Sequence, residues 1–171
     1  MKIAIIGYSG AGKSTLAKKL GEKLNADVLH LDSIGFKNDW MKRDLKEQLQ
    51  LADKVLSKDS WVIDGNWSKI YYERRMNDAD KIIFLNFNRF YCLKEAYKRY
   101  RKYKNKTRPD MAEGCQEKFD LEFVLWILRN GRKKSAKNRY MAVCREHRDK
   151  VLVFKNRKQV VDYIKAFREE N

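Results

Sequence analysis

The chain has 171 residues, 39 of them Lys or Arg and 23 Asp or Glu, for a formal net charge of +16. With 43% apolar residues it has enough for one real core, which excludes a disordered chain and leaves little room for two ordinary domains. No apolar run approaches the roughly 20 residues of a membrane span, and the first one enters a glycine-rich loop rather than a signal-peptide cleavage site, so a cytoplasmic protein without a membrane partner is expected.

In chain order, residues 2–6 form a short apolar run ending at glycine, which predicts a buried parallel strand. From Lys13, the residues Leu16, Ala17, Leu20 and Leu24 recur at helical spacing, with Lys18, Lys19, Glu22 and Lys23 opposite and Gly21 weakening the interior. Residues 27–31 predict a second strand, closed by His30-Leu31-Asp32. Leu45, Leu49, Ala52 and Leu56 mark the next helix. Residues 61–63 predict a third strand, ending at Asp64-Gly65-Asn66, and 81–87 a fourth. Residues 90–103 read as a helix through Leu93, Ala96, Tyr97 and Tyr100, and 119–128 as another, ended by Asn130-Gly131. Residues 151–154 predict a fifth strand and 160–167 a closing helix. Strand and helix alternate, which predicts an α/β fold with a parallel sheet covered on both faces and ligands at the carboxyl ends of the strands. No repeat or linker divides the chain, so residues 1–171 are expected to form one domain.

Gly7-Tyr8-Ser9-Gly10-Ala11-Gly12-Lys13-Ser14 fits G-x-x-x-x-G-K-[ST] in full, after a predicted strand and opening a predicted helix. Glycines let the backbone aim several N–H groups at one point, and the helix adds the positive end of its dipole there. The expected ligand is ATP with Mg2+, held by residues 7–15. Lys13 is to reach the β- and γ-phosphates, Ser14 to ligate the metal and Thr15 to bond the α-phosphate. Asp32 lies about 20 residues past the loop, where a dinucleotide fold keeps its ribose-binding acid, but the glycines do not follow G-x-G-x-x-G.

Two aspartates stand at predicted strand ends. Asp32 would face the γ-phosphate, to accept a proton from a hydroxyl, orient the acceptor or hold a metal-bound water. His30 shares its strand face, as a substrate contact or a core histidine. Asp64 is placed to hold Mg2+ or the acceptor, and Gly65 and Asn66 to let the ligand approach closely; a plain turn is the alternative. Between residues 94 and 108 stand eight basic residues against Glu95 alone. Arg99, Arg101 and Arg108 are candidates to neutralise a moving phosphoryl group from a lid, and Tyr97, Tyr100 and Tyr103 interleave as for base stacking. A second basic cluster, Arg129 to Arg139, reads as a solvated helical surface or a polyanion patch. Cys92, Cys115 and Cys144 are far apart with no C-x-x-C, so neither a disulfide framework nor a zinc site is expected.

The phosphate loop, His30-Leu31-Asp32, Asp64-Gly65-Asn66 and above all Thr107-Arg108-Pro109-Asp110-Met111-Ala112-Glu113-Gly114-Cys115, with Glu117, Asp120, Phe123 and Trp126, carry a resemblance. The chain resembles adenylate-kinase-like P-loop proteins called DNA topology modulation proteins, the FlaR-like group; Gln116 departs from that pattern, where proline stands. The resemblance implies a nucleoside-monophosphate-kinase-like three-layer fold with a five-stranded parallel sheet in order 2-3-1-4-5 and a helical lid at roughly residues 101–118. It implies ATP at Gly10, Gly12, Lys13, Ser14 and Thr15, Arg108 near the lid, Arg99 on adenine or phosphate, and residues 155–158 over the adenine edge. The function so implied is γ-phosphoryl transfer from Mg-ATP to a small nucleotide- or nucleoside-like acceptor. The alternative is an ATP-dependent regulator that binds nucleic acid through its basic surface. Monomer and dimer both stay open.

Overall fold

In the computed structural model, residues 1–167 are described. Five strands, β1 (Lys2–Gly7), β2 (Asp27–His30), β3 (Trp61–Asp64), β4 (Lys81–Leu85) and β5 (Val151–Phe154), form one parallel sheet in the order β2-β3-β1-β4-β5. The order follows from burial. Ile3, Ala4, Ile5 and Ile6 of β1 have no exposed surface, as a central strand covered on both faces requires, whereas Val153 of the edge strand β5 is exposed. Register sets Ile5 opposite Asp64, Asp64 opposite His30, and Gly7 opposite Leu85. The chemically active ends of β1, β2 and β3 therefore come level at one edge.

Eight α-helices complete the described chain: α1 (Lys13–Leu24), α2 (Leu31–Gly35), α3 (Leu45–Leu56), α4 (Tyr72–Asp78), α5 (Arg89–Tyr103), α6 (Leu121–Leu128), α7 (Lys134–Glu146) and α8 (Arg157–Ala166). Helix α1 buries Leu16, Ala17 and Leu20 as its spacing predicts. Gly21 sits in its interior because a side chain there would meet Val28 Cγ2 of β2 at 2.1 Å. Four helices start at side-chain caps that accept backbone N–H groups: Asp44 for α3, Asn88 for α5, Asp120 for α6 and Asn156 for α8. The Asn156 cap starts α8 at Arg157, ahead of the apolar run from residue 160.

Three elements differ from the sequence reading. The second strand stops at His30, and Leu31, fully buried, opens α2; Asp32 lies in the first turn of that helix, not at the strand end. The Ser33 hydroxyl donates to the His30 carbonyl at 2.7 Å and secures this turn. Helix α4 has no apolar stripe, since its buried residues are Met76 and Arg75. Helix α7 makes the second basic cluster a helical surface, one of its two readings, with bounds the sequence did not give because only Tyr140 and Val143 along it are buried. Among the described residues, no helix is long and apolar enough to cross a membrane.

Candidate active site

The loop between β1 and α1 is wrapped around its own backbone. Gly10 and Gly12 have φ of +80° and +88°, and a Cβ on Gly10 would lie 2.2 Å from the Cys92 carbonyl oxygen. Only glycine admits both that dihedral and that contact. Lys13 Nζ donates to the Tyr8 carbonyl at 3.2 Å, closing the loop on itself. Burial pushes the Lys13 ammonium below its ordinary value, while Asp32 and Asp64 pull it the other way. The Tyr8 ring lies on the opposite side, edge-on to Tyr140 at 5.2 Å, with the Arg132 guanidinium 3.6 Å from its centroid. Arg132 also donates to the carbonyls of Ile127 and Phe87 at 3.0 Å each, so it ties the loop to the chain after α6.

Asp64 is the centre of the next layer and is 3% exposed. Its Oδ2 accepts from the Ser14 hydroxyl at 3.0 Å, and its Oδ1 lies 2.5 Å from His30 Nδ1. Burial lowers the His30 pKa, but the hydrogen bond and charge of Asp64, with Asp110 and Asp32 beyond, outweigh it and leave the imidazole raised above 6.5. His30 is thus satisfied by Asp64, and it also lines the cleft. One hydroxyl and one carboxylate beside a phosphate cradle suit Mg2+, which keeps its waters and takes phosphate oxygens for its other ligands. No group of three or more His, Cys, Asp or Glu among the described residues is arranged to hold a metal by itself, consistent with that sharing.

The chain after β3 links this layer to both sides of the cleft. Asn66 Nδ2 donates to the Gly7 carbonyl at 2.7 Å and its Oδ1 accepts from the Gly7 N–H at 3.2 Å. The carboxamide thereby continues the β1–β3 ladder after Gly65 has turned the backbone away. Trp67 Nε1 donates to Asp32 Oδ1 at 2.7 Å. Beneath them, the Arg75 guanidinium donates to the carbonyls of Ile70, Gly65 and Trp67 at 2.9, 3.3 and 2.7 Å. Arg75 is fully buried, and burial pushes its pKa down to about 10. Sequence reasoning passed over it, since an arginine in a polar stretch has the look of a solvated one.

The basic arm divides. Arg99 donates to Glu117 Oε1 through Nη2 at 2.8 Å, and its guanidinium lies 5.9 Å from the Phe123 centroid. Arg108 donates to Asp110 Oδ2 at 2.9 Å, and its Nε stands 2.5 Å from Glu117 Oε2, in charge contact but out of line for a hydrogen bond. The two arginines thus converge on one nearly buried glutamate. Glu117 and Asp110 were named in the sequence only within a motif, and no local pattern announces them as counter-ions. Arg101 is exposed and does not line the cleft. Tyr97 and Tyr100 pack on Phe119, with centroids 5.3 and 5.8 Å away, although Tyr97 stays exposed. The segment carrying Arg108 docks on the turn after α2. Cys115 Sγ donates to the Lys37 carbonyl at 3.2 Å, and Trp40 Nε1 to the Gln116 carbonyl at 3.1 Å.

One cleft of about 1810 Å3 is lined by Arg157 and Ser9, by Lys13, His30 and Asp32, and by Phe36, Trp40 and Trp67. Of the residues singled out in the sequence, Ser9, Gly10, Ala11, Gly12, Lys13, Ser14, Thr15, Asp32, Gly65, Asn66, Arg99 and Arg108 line it. Gly7 and Asp64 lie just behind it, held by Asn66 and Ser14.

No protein-family model matches the chain, and no curated protein does. Solved structures do match in fold. Shikimate kinase from Acinetobacter baumannii in complex with shikimate superposes with a TM-score of 0.60, at 18% identity, over 96% of this chain and 88% of that one. Shikimate kinase from Bacteroides thetaiotaomicron matches with a TM-score of 0.50, at 17% identity, over 96% and 94%. A gluconokinase from Sinorhizobium meliloti 1021 gives 0.50 at 12% identity, over 96% and 87%. The fold is that of the P-loop small-molecule kinases, with the 2-3-1-4-5 sheet order that the resemblance implied.

Proposed function

We propose that the protein is a kinase that moves the γ-phosphoryl group of Mg-ATP to the hydroxyl of a small acceptor. The observation that carries this reading is the 3.0 Å contact of Ser14 with Asp64, which joins the phosphate loop to the end of β3 in the cleft that Asp32 also lines. Fold kinship supports the class of reaction and leaves the acceptor to the site.

In this reading the loop N–H groups and Lys13 hold the phosphates, and Ser14 and Asp64 would hold Mg2+, which would supply positive charge to the reacting phosphates. The acceptor oxygen forms a bond to the γ-phosphorus, the bond from that phosphorus to the β–γ bridging oxygen breaks, and ADP leaves. Asp32 has Oδ2 free of the Trp67 bond and takes the hydroxyl proton. Arg99 and Arg108 exchange Glu117 for the charge spread over the moving group, with the segment around residues 101–118 acting as the lid. The test is ADP release from Mg-ATP across a library of hydroxyl-bearing metabolites. Acceptor-stimulated release is expected, and a library without any stimulation would overturn the reading.

The alternative, an ATP-switched nucleic-acid-binding protein, is supported by the net charge of +16. The aromatic side of it is weaker, since Tyr97 and Tyr100 are engaged with Phe119. DNA retention that falls steeply with salt is what it requires.

A further inference from the structure

Resting on the kinase reading, we propose that the acceptor is an uncharged, hydroxyl-bearing molecule built on a flat aromatic ring, the chemical class of nucleosides. Three features of the end of the cleft beyond Asp32 carry this. The first is an aromatic wall. Phe36 meets Trp40 and Trp67 edge-to-face, with centroids 5.3 and 5.5 Å away, and all three rings are half-buried and line the cleft. The wall is built in place: a Cβ on Gly35 would lie 2.4 Å from the Trp67 ring, so glycine there lets the indole lie on α2. Leu45 and Met111 extend the apolar surface. A flat ring covers such a surface well and gains specific contact from it.

The second feature is a carboxylate tied to that wall. The indole N–H of Trp67 holds Asp32 Oδ1 at 2.7 Å, which sets the distance between a stacked ring and the oxygen that receives the hydroxyl. A ring and a hydroxyl on one rigid molecule match that spacing.

The third feature is that three of the four arginines of the cleft are already matched. Arg43 bonds Glu47, Arg99 bonds Glu117, and Arg108 bonds Asp110. Arg157, the other arginine of the cleft, lies beside the phosphate loop, where a methyl on Gly12 would touch its Nη1 at 3.5 Å. With Arg99 and Arg108 given over to the moving phosphoryl group, a phosphate or carboxylate on the acceptor would have to displace Glu47 from Arg43. Lys42, Lys69 and Lys118, the last 5.3 Å from the Trp40 centroid, are exposed, where solvent screens them.

The experiment is ADP release by the full chain with Mg-ATP and four matched sets of acceptors: nucleosides, their 5′-monophosphates, sugar acids and open-chain polyols. Nucleosides should stimulate best, with kcat/KM about tenfold or more above the matching monophosphates, because a displaced ion pair costs at least that factor. Trp67→Leu should raise the nucleoside KM about tenfold, as expected for a lost stacking surface, with the ATP KM within about twofold. Trp67→Phe should keep most of the nucleoside affinity, and Phe36→Leu gives the same test should the Trp67 variants not fold. Best stimulation by monophosphates, sugar acids or polyols would overturn the acceptor class and leave the kinase reading standing. Silence from all four sets would overturn both.

Discussion

Arg75→Met removes the guanidinium under the β3–α4 connection while nearly conserving volume. The arginine is fully buried, and no carboxylate among the described residues hydrogen-bonds it. Holding its charge there lowers its pKa from the ordinary arginine value to about 10, a cost of about 3 kcal/mol at about 1.4 kcal/mol per pKa unit. Against this stand three hydrogen bonds to backbone carbonyls. Bonds from a charged donor contribute about 1.5–3 kcal/mol each, so together roughly 5–9 kcal/mol. Methionine recovers the first sum and forfeits the second, so the variant should be less stable by about 2–6 kcal/mol. That is a large share of the roughly 5–15 kcal/mol that holds an ordinary domain together. Thermal melting should fall by about 5–20 °C for a chain of this size. Below the melting range, ADP release should suffer on both substrates, because Asn66 and Trp67 carry the arginine's position to Gly7 and to Asp32. Urea titration and steady-state kinetics at low temperature read the two effects separately. A variant that melts with the parent and keeps its kinetics would refute the account of Arg75 as the residue that sets this connection.

Lys13→Ala should lower turnover by at least about a hundredfold, as loss of a preorganised charge does, with melting nearly unchanged; full activity would exclude the loop as the donor site. Asp32→Asn retains an oxygen for the Trp67 bond, so it should cut kcat by about a hundredfold or more with ATP affinity little altered; weaker ATP binding with normal kcat would put Asp32 on the donor side. Gly10→Ala forces a Cβ to 2.2 Å from the Cys92 carbonyl at a φ of +80°, and the strain of about 1–3 kcal/mol or more should appear as lower melting and lost ATP binding. His30 has a raised pKa, so its bond to Asp64 stabilises the fold fully below pH 6.5 and is lost as the pH rises through the folded value above that. In metal-free buffer, stability relative to His30→Asn should therefore decline as the pH rises above about 6.5; a flat difference would show that the histidine is not titrating in this pair.

What could be read along the chain is what depends on neighbours in sequence. The phosphate loop is contiguous, and its glycines, lysine and serine belong to one stretch of backbone, so the strand–loop–helix turn from Gly7 to Thr15 was legible. The same holds for α1 and β5, whose apolar spacing is local, and for the strand–helix alternation that implies a parallel sheet. The tertiary structure decided which distant groups meet. Ser14, His30 and Asp64 converge because β1 and β2 flank β3 in register, a fact no window of residues contains. Asp32 moved from a strand end into a helix, because Leu31 found a buried place that began α2 there. Arg75 shows the limit most plainly. Burial of a charge breaks the apolar periodicity by which a helix is recognised, so the residue that organises the loop also concealed α4. The arginines of the basic arm were visible as charge, but their partners lie as far away as Glu117, and only the folded chain shows that Arg99 and Arg108 meet one carboxylate.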